Sequence, residues 1–193
     1  MHKTNLEKIR LIEKLNFVEE YKVDFRQVIY SNLLKDDIKT SRILDFGCSL
    51  RSYSQVVSKN AGKYITADIN KDDDIDITFD LCEEKEIPAE LKNKFNNVIA
   101  LAVFEHLWNP FTAAKNIVDF LDKSQKSRIW IYAPFLFKYH APEDLIYQDY
   151  FRFTKDAWPI LFPDAKKIIL SPVRGTGTTS LNLAIPFYKD LIE

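Results

Sequence analysis

The sequence predicts an α/β domain, an open and mostly parallel sheet with helices on both faces. Three observations predict it. Apolar runs short enough for strands recur along the chain, most of them end at a glycine or an acid, and segments with helical spacing fall between them. Parallel strands joined by crossover helices produce this alternation. The 193 residues are expected to form one domain able to bury about 70% of its unfolded surface. Residues 1–40 would be an N-terminal helical cover and 41–193 the core.

Hydrophobic content of 46% beside 28% charged residues is that of an ordinary soluble globular protein. A net charge of −1 offers no basic surface for nucleic acid or anionic lipid. No apolar run reaches the ~18 residues of a membrane span, and no signal-like stretch opens the chain. A cytoplasmic protein with a small-molecule substrate is therefore expected, its oligomeric state left open. Cys48 and Cys82 fall in neither a C-x-x-C nor a cysteine–histidine zinc spacing, so buried free thiols and no metal are expected. Only four glycines occur, which makes Gly47, Gly62, Gly175 and Gly177 informative.

Residues 4–35 place apolar side chains such as Leu6, Ile9, Ile12, Leu15 and Leu33 at helical spacing, which predicts one or two amphipathic helices against the sheet. RILDFGCSLRSY, residues 42–53, reads as a buried strand, a tight turn at Gly47 and a helix from near Ser52. Such a turn leaves free N–H groups facing the space above the strand. Asp45 lies in a run otherwise fit for burial and needs a partner to offset its desolvation; a bound amine or hydroxyl would supply one. Gly62 ends the helix, and KYITADIN gives a second strand, 63–67, with Asp68 at its end. An acid about 20 residues after the first turn is where open α/β folds hold ribose, because a carboxylate accepts from both hydroxyls at once. Its neighbours Asp72, Asp73 and Asp74 read as a solvated loop.

DIDITFDLCE alternates acid and apolar into Asp80 and Leu81, where Asp80 either starts a turn or serves as an acceptor. A buried strand from Val98 to Ala102 runs into Glu105-His106-Leu107, and a helix follows from about Pro110 to Leu121. RIWIYAP is a fifth strand closed by Pro134. The loop after it is long, which usually marks function. It leads through DYFRFT to a helix expected to be capped by Thr154, with Asp156 in its first turn. KKIILSPV and TTSLNLAIPF read as the last two strands, with Gly175 and Gly177 between them.

D-F-G-C-S, then Asp68, Asp80-Leu81, and V-F-E-H-L followed by N-P resemble, in order and spacing, the class I S-adenosylmethionine-dependent methyltransferases, in particular the type 11-like small-molecule group. D-Y-F-R-F-T resembles a segment of methyltransferases from surface-polysaccharide clusters. The resemblance covers about residues 42–185. It implies a Rossmann-like sheet of seven strands with an antiparallel C-terminal edge hairpin. It also implies S-adenosylmethionine as cofactor and methyl transfer to a small polar acceptor, such as a hydroxyl of a sugar or glycoconjugate precursor. The family's first motif has glycines at alternate positions, and here Ser49 and Arg51 replace the second and third.

Carried over residue by residue, the resemblance assigns cofactor binding to Asp45, Gly47, Cys48, Asp68, Ile69, Asp80, Leu81 and Val103. Asp80 would accept from the adenine amine and the Leu81 N–H would donate to a ring nitrogen. His106, where the methyl would point, and His140, beside Asp144 in the long loop, are the candidate catalytic bases. Alternatively, His106 caps or packs the next helix and His140 joins a surface ion pair. Tyr147, Asp149, Tyr150 and Arg152 suit a polar acceptor, although Asp149 and Arg152 could instead staple the loop. The alternative function is a non-catalytic binding or scaffolding module of the same fold, since larger residues at glycine positions crowd the backbone's approach to a cofactor. A nicotinamide-dependent oxidoreductase ranks last: it needs G-x-G-x-x-G, and Ser49 and Ser52 stand at the later positions.

Overall fold

The computed structural model describes residues 9–11, 25–35, 37–47, 52–124, 126–141 and 146–170. In chain order its strands are β1 (Ile9–Leu11), β2 (Arg42–Phe46), β3 (Lys63–Asp68), β4 (Ile77–Thr78), β5 (Asn97–Leu101), β6 (Arg128–Tyr132) and β7 (Ile168–Leu170). Its α-helices are α1 (Phe25–Lys35), α2 (Ser52–Asn60), α3 (Pro110–Phe120) and α4 (Trp158–Leu161). Five strands form one fully parallel sheet in the order β4-β3-β2-β5-β6. The sheet is Rossmann-like. Its strand order reverses between β2 and β5, and in open sheets of this kind ligands bind beyond the strand ends at that reversal.

Alternation along the central strands sends side chains to two cores. Leu44, Phe46, Val98 and Ala100 pack with Ala113, Ala114, Ile117 and Phe120 of α3 and with Leu161 of α4. Ile43, Ile99 and Leu101 pack on the other face with Tyr30 and Leu33 of α1 and Val57 of α2. Both faces of β5 are covered, so all five of its residues are buried. Asn109 caps α3 by accepting from the Thr112 N–H, and Pro110 occupies the first turn, where its missing N–H is no loss. No helix among the described residues is long and apolar enough to cross a membrane.

The central elements fall where the sequence places them, within a residue at most ends, and the differences lie at the margins. Residues 9–11, expected to be helical, form a strand paired in parallel with β7. Ile9-Arg10-Leu11 satisfies strand alternation as well as helical spacing, so the pairing decides. The expected sixth strand is this β7, three residues long and outside the five-stranded sheet; the expected seventh, with Gly175 and Gly177, lies beyond the described residues. The helix expected from Thr154 begins at Trp158. The Thr154 carbonyl instead accepts from the Ala157 N–H to close a turn, and Pro159 is suited to the first turn of the helix that follows.

Candidate functional site

Four strand ends form the floor of the site. Gly47 follows β2, Asp68 ends β3, Asp80 lies two residues past β4, and Val103 two residues past β5. Gly47 has φ +65° and packs so closely on Val103 that a Cβ there would stand 2.6 Å from Val103 Cγ2. Glycine is therefore required by both backbone and space. Cys48, Ser49 and Arg51 lie outside the described residues.

Asp68 Oδ1 accepts from the Asn70 backbone N–H (2.8 Å) and from Asn70 Nδ2 (3.1 Å). Its second oxygen has no hydrogen-bond partner among the described residues. Asp80 turns back to accept from the Cys82 N–H (2.8 Å), and the Phe79 N–H donates to the Asp68 carbonyl, which ties the two acids to one edge of the sheet. Ile69 is half-buried next to Asp68. Leu81 is buried, and its carbonyl accepts from Asn116 Nδ2. Cys82 is a buried free thiol, pushed up from its usual range chiefly by that burial.

Asp45 differs from its sequence-based expectation. Its carboxylate is buried on the α1 face, where Oδ2 accepts from Tyr30 Oη (2.9 Å) and Tyr64 Oη (2.5 Å). The partner that offsets its desolvation belongs to the protein, two phenols brought over by α1 and β3, and not to a bound amine or hydroxyl.

Beyond β5 the chain turns sharply. Ala102 takes φ +58°, a left-handed conformation unfavourable for a residue with a Cβ, and a short 3-10 turn, Phe104–His106, follows. Phe104 anchors that turn from below, its ring 6.1 Å from Phe153, 5.6 Å from Trp158 and 6.0 Å from Phe162. From above, the Tyr150 and Phe151 N–H groups donate to the Glu105 carbonyl at 2.7 and 3.1 Å. The turn is thereby clamped between α4 and the long loop.

That clamp brings His106 and His140 together with an acid that sequence reasoning left out of the site, Glu105. Its side chain is fully buried and, among the described residues, neither carboxylate oxygen receives a well-formed hydrogen bond. Burial above all, with the charge of Asp149, pushes the carboxyl up to about 7 against its own backbone N–H and the charge of Arg152. His106 Nδ1 lies 2.9 Å from the Gln148 carbonyl and its Nε2 lies 3.9 Å from Glu105 Oε1; burial pushes this imidazole down. His140 Nδ1 lies 3.0 Å from Asp149 Oδ2 and its Nε2 3.7 Å from Glu105 Oε1. The carboxylate on His140 is thus that of Asp149, Asp144 lying outside the described residues. His106 joins the turn to the loop and does not cap α3.

Of the residues expected to meet an acceptor, Asp149 and Arg152 form the loop's staple. Arg152 grips both Asp149 oxygens, one through Nη2 at 2.6 Å, and its Nη2 also donates to the Phe137 and Lys138 carbonyls. The Arg152 hydrogen bonds hold the Asp149 carboxyl down at about 2. Tyr147 stacks beside His106, ring centres 4.6 Å apart, and Tyr150 is exposed at the rim. Arg152→Ala should leave the nearly enclosed Asp149 carboxylate with His140 as its remaining partner and cost about 2 kcal/mol. The readout is the urea midpoint together with faster proteolysis within 137–152; unchanged values for both would show that the staple bears no load.

No protein-family model and no curated protein matches the chain. Solved structures do. A methyltransferase from Mesorhizobium loti that depends on S-adenosylmethionine aligns at 13% identity over 58% of this chain, with a TM-score of 0.45, and the chain spans 55% of that enzyme's length. A second such methyltransferase, from Archaeoglobus fulgidus, aligns at 20% identity over 87% of this chain and 71% of its own, with a TM-score of 0.40. The MccD protein aligns at 14% identity over 72% of this chain and 69% of its own, with a TM-score of 0.50. What the chain shares with the MccD protein is the fold.

The nucleoside of S-adenosylmethionine offers hydroxyl donors on its ribose and an amine donor on its adenine. Asp68, with one carboxylate oxygen committed to Asn70, keeps the other for a hydroxyl donor at the end of a parallel strand. Asp80 stands beside it along the same edge, and the two fit the nucleoside.

Proposed function

We propose that the chain transfers a methyl group from S-adenosylmethionine to a small polar acceptor, a hydroxyl of a sugar or glycoconjugate precursor, in the cytoplasm. The observation that carries this reading is the alignment of Gly47, Asp68, Asp80 and Val103 along one edge of a parallel sheet, at the reversal of strand order. The cofactor supplies a methyl group already activated by its sulfonium charge. The protein's part is position and proton handling.

In this reading Asp68 holds the ribose, and Asp80 with the Leu81 N–H meets the adenine. Gly47 and Val103 shape the wall between them, Ile69 lines the approach, and Asp45 supports the turn from beneath through its two tyrosines. Tyr147 and Tyr150 offer the acceptor an aromatic and hydroxyl surface, while Asp149 and Arg152 hold that surface in place. His106, His140 and Glu105 present convergent lone pairs where an acceptor hydroxyl has to give up its proton.

Calorimetry with S-adenosylmethionine and S-adenosylhomocysteine is the test, and absence of binding of either up to ~1 mM would end the proposal. Asp68→Ala is expected to weaken cofactor binding by about 1–3 kcal/mol through lost charge-assisted hydrogen bonds. Unchanged affinity in that variant would remove Asp68 from the site.

A further inference from the structure

We infer that Glu105, His106 and His140 are the ligands of one divalent transition-metal ion of the zinc class, held by Glu105 Oε1 and the two imidazole Nε2 atoms. The first ground is the carboxylate itself. It is fully enclosed and, among the described residues, neither oxygen accepts a hydrogen bond, an arrangement that is costly for an ionised carboxylate unless a positive centre completes it.

The second ground is the way the surroundings orient the two imidazoles. His106 Nδ1 faces a backbone carbonyl, that of Gln148, which can only accept. His140 Nδ1 faces the Asp149 carboxylate and the Lys138 carbonyl, both acceptors. Each Nδ1 is thus engaged outward, and each ring directs its Nε2 toward Glu105. Backbone carbonyl or carboxylate on the far nitrogen is also the outer support that metal-binding histidines have.

Distance separates a metal from a shared proton. The Nε2 atoms stand 3.7 and 3.9 Å from Glu105 Oε1, too far for a hydrogen bond. Donors bound tetrahedrally at about 2.1 Å sit about 3.4 Å apart, so the two imidazoles have to draw in toward the carboxylate and toward each other by up to about an ångström. All three donor atoms lie within 4.8 Å of one another. Two nitrogens and one carboxylate oxygen suit a zinc-class ion, and three protein ligands leave one position open for a water or an acceptor oxygen. His140, a quarter exposed, provides the way in.

Chelator-treated protein titrated with Zn²⁺, and with Co²⁺ as the coloured probe, should take up one ion per chain without S-adenosylmethionine. Bound Co²⁺ should show the visible absorption of a four- or five-coordinate site. Glu105→Gln and His140→Ala should each weaken uptake at least ~100-fold, and Asp149→Asn, acting through His140, about 10–100-fold. His140→Ala lies on a partly exposed loop and keeps the test valid should Glu105→Gln fail to fold. Wild-type protein that is folded by circular dichroism yet takes up neither ion at ~1 mM would overturn the site, as would unchanged affinity in the folded variants. Calorimetry with S-adenosylmethionine on the same samples separates the two ideas. Cofactor binding without metal uptake removes the metal site alone; metal uptake without cofactor binding removes the methyltransferase reading alone.

Discussion

Phe104→Ala is expected to destabilise the protein by about 3–5 kcal/mol, the cost of emptying a fully enclosed aromatic site. The ring lies within 6.1 Å of three others, Phe153, Trp158 and Phe162, so its loss uncouples the turn after β5 from α4 and from the end of the long loop. Glu105 and His106 are the next two residues, and their placement depends on that anchor. Urea denaturation measures the first effect, and metal and cofactor titrations of the folded variant measure the second. Phe104→Leu, which refills most of the volume, should recover much of the stability. A stability loss under ~1 kcal/mol in Phe104→Ala would show that the aromatic cluster does not hold the turn.

Gly47→Ala is expected to cost about 2–4 kcal/mol, from two separable sources. A residue with a Cβ at φ +65° pays roughly 1–2 kcal/mol for the left-handed conformation. The remainder is overpacking, because the new carbon would stand 2.6 Å from Val103 Cγ2. Val103→Ala in the same chain removes the obstructing methyl but not the backbone cost. The double variant should therefore be more stable than the sum of the single losses implies, with a coupling of about 1–2 kcal/mol. Strict additivity would place the whole effect in the backbone, and an undiminished stability in Gly47→Ala would contradict the turn geometry itself.

The central α/β alternation was legible because it is a local property. Strands Arg42–Phe46, Lys63–Asp68, Asn97–Leu101 and Arg128–Tyr132 are short runs rich in apolar residues, two of them almost wholly buried, and their ends are marked by Gly47, Asp68 and Pro134. Asn109 and Pro110 likewise announce a helix start by their own chemistry. Ile9–Leu11 was less legible, because three residues satisfy two periods and only a partner remote in sequence, Ile168–Leu170, selects one. Trp158 as the start of α4 was missed for a similar reason: Thr154 is a good cap wherever it falls, and here it closes a turn instead.

The same division runs through the candidate site. Gly47, Asp68, Asp80 and Val103 could be placed from sequence because strand ends of a parallel sheet lie on one edge whatever their side chains do. Asp45, in contrast, finds its partners in Tyr30 and Tyr64, residues that nothing in the local pattern connects with it. Glu105 was visible as part of E-H-L, but its burial could not be read from a motif on a turn.

By itself the sequence determined the order of the central strands and helices, the edge on which their ends stand, and a nearly balanced net charge, because each follows from neighbours in the chain or from composition. The tertiary structure alone decided that Asp149 reaches His140, that Arg152 ties Asp149 to the loop, and that two imidazole Nε2 atoms face an enclosed carboxylate. Asp149 lies 9 residues from His140 and 3 from Arg152, but what sets that cluster over the turn is a contact between segments some forty residues apart (His106 and Gln148 are separated by 42). Hydrogen bonds and charge at such separations are set by how the loop packs over the sheet, and local spacing carries no record of it.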